Sequence, residues 1–226
     1  MKKPVVDYSK LRWSTRKNPE YAHLKLLWGW VGYLLLYVLT ENLIPYEKCH
    51  VIHSVVDDMV PFNEYFILAY TSWYVLIVGT LLYFMFYDVE SFKKVQIFII
   101  ATQIIAMATY ILYPSIQDLR PASFEHKNFC TFICGLIYKA DTPTGVMPSL
   151  HVAYSMAIMS VWLKTKYTPW WFRTFIAALC FTISYSVMAV KQHSFWDVIT
   201  AFIMCLIIEA ILYRKYWMAK FKKSNS

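Results

Sequence analysis

Six apolar runs, each close to the length that crosses a bilayer, dominate the sequence. They fall at residues 24–44, 65–87, 95–113, 146–163, 170–190 and 195–213. A membrane-spanning helix needs about 20 mainly apolar residues. The composition agrees, because 58% of the residues are hydrophobic whereas soluble domains are about 45–50% apolar. We therefore predict an all-α integral membrane protein built as a bundle of six transmembrane helices.

The runs divide the chain into one membrane domain, residues 24–213, between a basic arm at 1–23 and a basic tail at 214–226. The first run is too long for a signal-peptide core and lacks a small-x-small cleavage site, so we expect it to remain as an anchor. The arm is expected to be interfacial or flexible. A shorter apolar stretch, 128–138, cannot cross a bilayer and is interpreted as an interfacial or re-entrant helix over the functional residues described below.

Lysine and arginine are distributed unequally between the two sides that this topology defines. Seventeen lie on the side of the termini and five on the other side. The positive-inside rule then predicts both termini in the cytoplasm. The net charge of +8 is explained by topology, because the basic residues bracket apolar runs and form no stripe suited to nucleic acid.

The segment from Gly145 to His151 places a proline, a hydroxyl and an imidazole at the mouth of an apolar run. Proline suits the first turn of a helix, so Pro148 is predicted to open this helix and leave free N–H groups that favour an anion. Ser149 could donate to a phosphoryl oxygen, and His151 could act as a general acid–base. The structural alternatives are ordinary helix capping for Ser149 and a hydrogen-bonded position at a helix end for His151.

Two further motifs stand on the same predicted side of the membrane. His193 and Asp197 are four residues apart, so on a helix the carboxylate can accept from one ring nitrogen and leave the other as a nucleophile. Arg120, before a proline, offers a forked cation for phosphate oxygens. A solvated helix cap and an arginine at lipid headgroups remain the structural alternatives.

Read together, Arg120-Pro121, Pro148-Ser149-x-His151 and His193-x-x-x-Asp197 resemble the three-part signature of the type 2 phosphatidic acid phosphatase superfamily. The resemblance extends upstream to 57–62 and to Tyr70 and Trp73-Tyr74, which look like the inositolphosphotransferase branch, related to inositol phosphorylceramide and sphingomyelin synthases. Leu150, where the phosphatases usually carry glycine, favours the same branch.

The resemblance implies a six-helix bundle and a metal-independent lipid phosphotransferase or phosphatase with no cofactor and a phosphohistidine intermediate. His193 would be the nucleophile, Asp197 its orienting partner and His151 the general acid–base. Arg120 and Ser149 would contact the phosphate. The implied partners are a phospholipid-like substrate and the bilayer, and the expected location is the plasma membrane or its equivalent. The lysine and arginine count predicts that the site lies on the extracytoplasmic face.

Two positions depart from the phosphatase pattern. Tyr113 and Val187 stand where that pattern has a lysine and an arginine, and Lys191 could replace one of these charges. A phosphodiester bears less charge than a monoester, so a lipid phosphodiester is predicted as the preferred donor. The alternatives are a plain phosphatase for phosphatidic acid or polyprenyl phosphate, and a non-catalytic lipid transporter or scaffold. The sequence predicts no oligomeric state.

Other chemistry-bearing residues leave smaller questions open. A disulfide among Cys49, Cys130 and Cys134 is an open alternative in an oxidising compartment. The trio of His50, His53 and Asp57 has helical spacing and could be read as metal ligands, although loop residues at a charged interface explain it better. Glu209 lies deep in the last run, and we expect a buried hydrogen bond there, to Arg214 or a tyrosine, in preference to an ion pathway.

Overall fold

The computed structural model describes residues 4–224, with side chains up to residue 220. Its helices are α1 (Trp28–Leu43), α2 (Val55–Met59), α3 (Ile67–Tyr87), α4 (Val89–Leu112), α5 (Phe129–Ala140), α6 (Leu150–Lys164), α7 (Trp170–Ala189), α8 (Phe195–Leu212) and α9 (Arg214–Ser224). Short 3-10 helices lie at Tyr8–Lys10, Pro19–Leu27, Tyr46–Lys48 and Glu64–Phe66. Two-residue strands, β1 (His50–Val51) and β2 (Ser115–Ile116), pair in parallel.

Five helical segments of this structure are long and apolar enough to cross a membrane. They are Pro19–Leu43, Glu64–Tyr87, Val89–Leu112, Trp170–Ala189 and Phe195–Leu212. The chain is therefore an all-α integral membrane protein, as predicted. The sixth predicted span is a shorter helix, α6, and the count of six stays a prediction.

Helix α6 lies at the centre of the bundle, packed against α3, α4, α7 and α8. Ten of its 15 residues are buried. Ala153 and Ala157 are fully buried there, and such small side chains let helices approach closely in a membrane. At 1.5 Å per residue α6 is about 22 Å long, whereas the hydrocarbon core of a bilayer is about 30 Å thick.

Helix α4 begins six residues earlier than the apolar run predicts. Asp88 precedes it and accepts hydrogen bonds from the backbone N–H and the hydroxyl of Ser91, at 3.1 and 2.8 Å. This N-cap satisfies donors at the helix start. The predicted loop at Lys93 and Lys94 is therefore part of the first turns of α4.

A small layer covers the end of the bundle at which His151 and His193 lie, which we call the histidine face. It contains β1, β2, α2 and α5. The short apolar stretch does form a helix, α5, whose first turn is capped by Asn128 accepting from Thr131 N–H at 2.9 Å. The cysteines are all free, so no disulfide links Cys49, Cys130 and Cys134.

The opposite end of the bundle carries the basic arm. Tyr8 donates a hydrogen bond to the carbonyl of Met85 at 2.8 Å and lies 2.6 Å from His23 Nε2. The N–H of Val5 donates to the carbonyl of Phe86 at 2.8 Å. The described part of the arm is therefore packed against the end of α3, and the flexible alternative does not describe it.

Glu209 sits in a hydrogen-bonded cluster at the same end. Its carboxylate lies 2.5 Å from Lys164 Nζ and accepts from Ser160 Oγ at 2.5 Å and from Trp217 Nε1 at 2.9 Å. The expected buried hydrogen bond is present, but the predicted partners, Arg214 or a tyrosine, were wrong. Trp217 belongs to α9, a helix that the basic tail did not predict.

Candidate active site

His193 and Asp197 form a buried pair at the start of α8. The ring nitrogen Nδ1 lies 3.2 Å from Asp197 Oδ2, and the carboxylate is fully buried. The same oxygen accepts the backbone N–H of Ser194 at 2.9 Å, which completes a capping box at the head of α8. Local helix-capping rules thus place the carboxylate beside the imidazole.

The pairing fixes which nitrogen of His193 can react. An ionised carboxylate only accepts hydrogen bonds, so Nδ1 carries the proton that it shares with Asp197. The other nitrogen, Nε2, then holds a free lone pair. This arrangement is the one that makes an imidazole a nucleophile or a base.

His151 faces His193 across the same space, with ring centroids 5.8 Å apart. It lies one residue into α6 and packs between the rings of Tyr70 and Trp73, at centroid distances of 4.4 and 4.2 Å. Its Nε2 is buried and has no hydrogen-bond partner among the described residues. Buried polar atoms are normally paired, so this nitrogen is available to a ligand at the site.

Ser149 is the N-cap of α6. Pro148 therefore precedes the helix, and the prediction that it opens the helix was wrong. The N–H of Ser149 donates to the carbonyl of Asp197 at 3.0 Å, which joins the starts of α6 and α8. Its hydroxyl is buried, makes no cap hydrogen bond and has no partner in the described chain. The first N–H groups of α6 therefore lack a side-chain cap, unlike those of α8.

Arg120 reaches the site but is heavily engaged by protein groups. It donates to the carbonyls of Tyr138, Asp141 and Thr142 at 3.0–3.3 Å, and to Gln192 Oε1 at 2.5 Å. Its Nε is buried without a described partner. Burial lowers the pKa of Arg120, and the nearby Asp141 opposes that shift. In this structure the guanidinium holds the loop after α5 next to His193, and its Nε–H remains without a described partner.

Lys191 is not brought to the cavity. Its Nζ donates to the carbonyls of Asp57, at 2.7 Å, and Val60, and burial lowers its pKa. The backbone of Lys191 is left-handed, with φ of 53°, as is common at the C-terminal end of a helix, here α7. His193 follows two residues later, so this turn sets the position of its imidazole.

Asp57 holds the turn that carries His193, a role the sequence did not reveal. One carboxylate oxygen accepts the N–H of Phe195 at 2.7 Å. The other accepts the hydroxyl of Ser194 at 2.5 Å and the N–H of Ser54 at 2.8 Å. These bonds tie α2 to the first turn of α8, across more than 130 residues of sequence.

Asp141 and Gln192 are two further polar residues of the site that sequence reasoning missed. Asp141 accepts from the hydroxyl of Tyr37 at 2.7 Å and from Gln192 Nε2 at 3.3 Å. Burial raises the pKa of Asp141, while the Tyr37 hydrogen bond and the charges of His193 and Arg120 oppose the shift. No local motif marks this carboxylate, because its partners come from α1 and from the turn after α7.

Four of these polar residues line a cavity of about 420 Å³, whereas Arg120, Ser149 and Asp197 lie behind its wall. His151, His193, Asp141 and Gln192 line one end, and side chains of α1 and α3 line the other. On that side Leu34 and Val78 are more than half exposed, so the cavity opens laterally towards the surrounding bilayer.

The trio of His50, His53 and Asp57 does not assemble into a site. His50 stacks on Tyr113 with centroids 4.2 Å apart, and His53 pairs with the exposed Asp58 at 2.9 Å. Within residues 4–224 no group of three histidine, cysteine, aspartate or glutamate residues is close enough to hold a metal ion.

A membrane-embedded helical bundle with two facing imidazoles, one of them paired with a carboxylate, defines a class of intramembrane acid–base and nucleophilic sites. The comparisons with known families agree, since the model of the PAP2 superfamily matches residues 94–221. The chain belongs to the PAP2 superfamily, and this membership implies phosphatase or phosphotransferase activity on phosphate esters. Neither the curated proteins nor the solved structures contain a match.

Proposed function

We propose that the protein is a lipid phosphotransferase that works through a phosphohistidine at His193. The observation that carries this proposal is the buried His193–Asp197 pair with the unpartnered His151 Nε2 facing it in one cavity. The lateral opening between α1 and α3 supports a substrate delivered from the bilayer. Membership in the PAP2 superfamily supports the reaction class.

The reaction follows from the positions of the protons. His193 Nε2 attacks phosphorus, an N–P bond forms, and the P–O bond to the lipid alcohol breaks. The protonated His151 gives its proton to the departing alkoxide. Neutral His151 then takes a proton from water or an alcohol, whose oxygen attacks phosphorus while the N–P bond breaks and its electron pair returns to His193. Asp197 stabilises the imidazolium character that develops on His193 in each half.

The preferred donor in this proposal is a phosphodiester, and the reason is the scarcity of free cations. Tyr113 is stacked on His50, outside the cavity. Val187 is fully buried, and its carbonyl accepts the N–H groups of Gln192 and His193 at 2.9 and 3.0 Å. Arg120 is largely occupied by carbonyls. A phosphomonoester dianion would find little compensation for its second charge.

A plain monoester phosphatase is the second candidate, and one observation favours it. The first N–H groups of α6 have no side-chain cap, and uncapped helix N-termini bind phosphate well.

The proposal also keeps the site on the extracytoplasmic face and the termini in the cytoplasm, which the distribution of lysine and arginine supports.

The test combines trapping with donor preference. Protein incubated with phosphorus-labelled lipid and quenched in alkaline detergent, which preserves the acid-labile N–P bond, should carry label at a histidine, and His193→Ala should abolish it. Asp197→Asn should fold and lose about 10⁴-fold in kcat by holding the wrong tautomer. A phosphatidic acid favoured over a phosphodiester lipid by more than about 10-fold in kcat/KM, which is about 1.4 kcal/mol, would contradict the charge argument.

The structure changes which substitution should probe the missing cations. Val187→Arg would restore the arginine of the phosphatase pattern, but Val187 packs in a cluster with Ile67 and Tyr70. An arginine there would bury an unpaired charge and threaten folding. Thr144→Lys is the better probe, because Thr144 lines the cavity and is only half-buried.

A further inference from the structure

A second and larger cavity lies on the side of the bundle, away from the histidines. Its volume is about 750 Å³, and it runs between α3 and the first half of α7, with Trp162 of α6 between them. It shares no lining residue with the histidine cavity. From Ser72 to Tyr87 it follows α3 for about 22 Å at 1.5 Å per residue. Val75 and Phe175, which line it, are more than half exposed, so this α3–α7 groove opens towards the surrounding bilayer.

The aromatic walls of the α3–α7 groove are held in place by contacts with one another. The indole N–H of Trp162 donates to Thr80 Oγ1 at 3.0 Å. The same indole packs against Tyr83 and Phe172, at centroid distances of 5.0 and 4.9 Å. A rigid, flat ligand fits such faces at a lower cost than a flexible acyl chain, which must give up rotational freedom to lie against them.

Gly79 makes room for a broad ligand near the middle of the groove. It lines the groove, and a Cβ at this position would meet no atom within 4 Å. A ligand can therefore approach the backbone of α3 closely at this point. The groove is thus shaped for a fused-ring body in preference to a single chain.

Two polar groups with spare hydrogen-bonding capacity lie at the end of the groove opposite the histidine face. Thr168 is 7% exposed, and its buried hydroxyl has no partner among the described residues. Asp88 accepts two hydrogen bonds from Ser91, and a carboxylate has about four acceptor sites. None of the described residues that line the groove is lysine or arginine. This end therefore suits a neutral hydroxyl group and disfavours a phosphate, which would lie beside the carboxylate without a cation.

Two sequence segments at the groove fit a short pattern proposed for cholesterol contact. In this pattern leucine or valine, then tyrosine, then lysine or arginine follow one another at intervals of a few residues. Residues 82–93 fit it around Tyr87, and residues 161–173 fit it around Tyr167. The pattern alone is common, so the supporting fact is that both tyrosines line the same groove.

We propose that the α3–α7 groove binds a neutral lipid with a rigid, flat fused-ring body and one hydroxyl group, as sterols have. The ring body lies against Trp162 and over Gly79, and the hydroxyl lies between Asp88 and Thr168. This site is separate from the histidine cavity, so the inference goes beyond the proposed reaction and does not depend on it.

Photolabelling tests the site in the intact protein. Purified protein in phosphatidylglycerol nanodiscs is irradiated with a cholesterol analogue that carries a diazirine on its ring system, and labelled peptides are mapped by mass spectrometry. Label should saturate, and it should concentrate on α3 and α7 near Gly79 and Phe175. Excess cholesterol should reduce it about 10-fold, whereas the same excess of dioleoylglycerol, or of cholestane, which lacks the hydroxyl, should reduce it less than about 3-fold.

Two substitutions, each with a matched control, locate the ligand within the groove. Gly79→Phe fills the groove from a position where a Cβ is free of contacts, and it should lower labelling of α7 about 10-fold. Gly32→Phe is its control, because Gly32 lies on α1 outside the groove and its Cβ position is equally open. Thr168→Val removes the hydroxyl at nearly constant shape and should raise the half-saturating concentration about 3–10-fold. Thr182→Val, at an exposed residue of α7 outside the groove, should leave that concentration unchanged.

Three results would overturn the inference. The first is label spread evenly over α1, α3 and α7, or reduced as strongly by dioleoylglycerol as by cholesterol, because either result describes ordinary surrounding lipid. The second is unchanged labelling in Gly79→Phe. If that variant does not fold, an unchanged half-saturating concentration in Thr168→Val is the third. None of these measurements requires lipid turnover, so a failure of the proposed reaction leaves the test intact.

Discussion

Asp57 offers the sharpest test of the proposed mechanism, because its side chain is hydrogen-bonded to the turn that follows His193 but does not line the cavity. Its side chain is 2% exposed, and two of its three hydrogen bonds reach Ser194 and Phe195 at 2.5 and 2.7 Å. Hydrogen bonds to charged groups contribute roughly 1.5–3 kcal/mol each. Solvent screening does not reduce this, since the carboxylate is buried.

Asp57→Asn should weaken the hydrogen bonds from Asp57 to Ser194 and Phe195, which we call the clamp, while the side chain keeps its shape. One oxygen remains an acceptor, but the new NH₂ group faces the N–H of either Phe195 or Ser54, so at least one of the three bonds is lost. We expect a loss of about 2 kcal/mol, which lowers Tm by about 4–8 °C in a chain of this size. A displacement of about 1 Å at His193 would cost about 100-fold in rate, so kcat should fall about 10–100-fold with KM within about 3-fold.

The neighbouring Asp58 supplies the matched control. Its carboxylate is 65% exposed and pairs with His53, so Asp58→Asn removes the same charge without touching α8. The assay is steady-state lipid turnover with Tm measured on the same samples. If Asp57→Asn lowers Tm but keeps the wild-type kcat, the clamp stabilises the fold alone and the positioning argument is wrong.

Three further predictions follow from the same contacts. Lys191→Met should lower kcat for all donors equally, because Nζ secures the turn; a loss confined to monoester donors, seen as raised KM, would instead assign it to the phosphate. His151→Ala should still form the phosphohistidine at His193 with a good leaving group but release it slowly, as rapid-quench labelling would show. Cysteines at Lys127 and Lys220 should differ in reaction with an impermeant maleimide, and equal labelling would refute the predicted topology.

The long helices were predictable because each is identified by its own apolar run, independently of contacts with the rest of the chain. An apolar run of about 20 residues has few alternatives in a membrane protein, and α1, α3, α7 and α8 lie close to the predicted runs. The boundaries that differ have local polar causes. The N-cap at Asp88 moves the start of α4, and the left-handed Gly145, with φ of 61°, belongs to the irregular segment that delays α6.

The polar network of the site was not predictable, because it depends on contacts between distant segments. Asp141 pairs with Tyr37, 104 positions away, and Asp57 with Ser194, 137 positions away. Each looks like an ordinary loop or cap residue in its own segment. The spacing of His193 and Asp197 did predict their pairing, but His193 lies before α8, and the capping box at the head of that helix brings the two side chains together.

Cation placement shows why a motif alone cannot decide substrate charge. Arg120 and Lys191 both have suitable sequence positions, yet each is bonded to backbone carbonyls that need donors once the bundle has formed. A buried carbonyl without a donor costs about as much as a lost hydrogen bond, so the fold itself competes with substrate for these charges. The polar side chains of the cavity that can meet a substrate include the two imidazoles, Gln192 and the carboxylate of Asp141. None of them is a permanent cation, so the cavity suits a phosphate with one negative charge better than a phosphate with two.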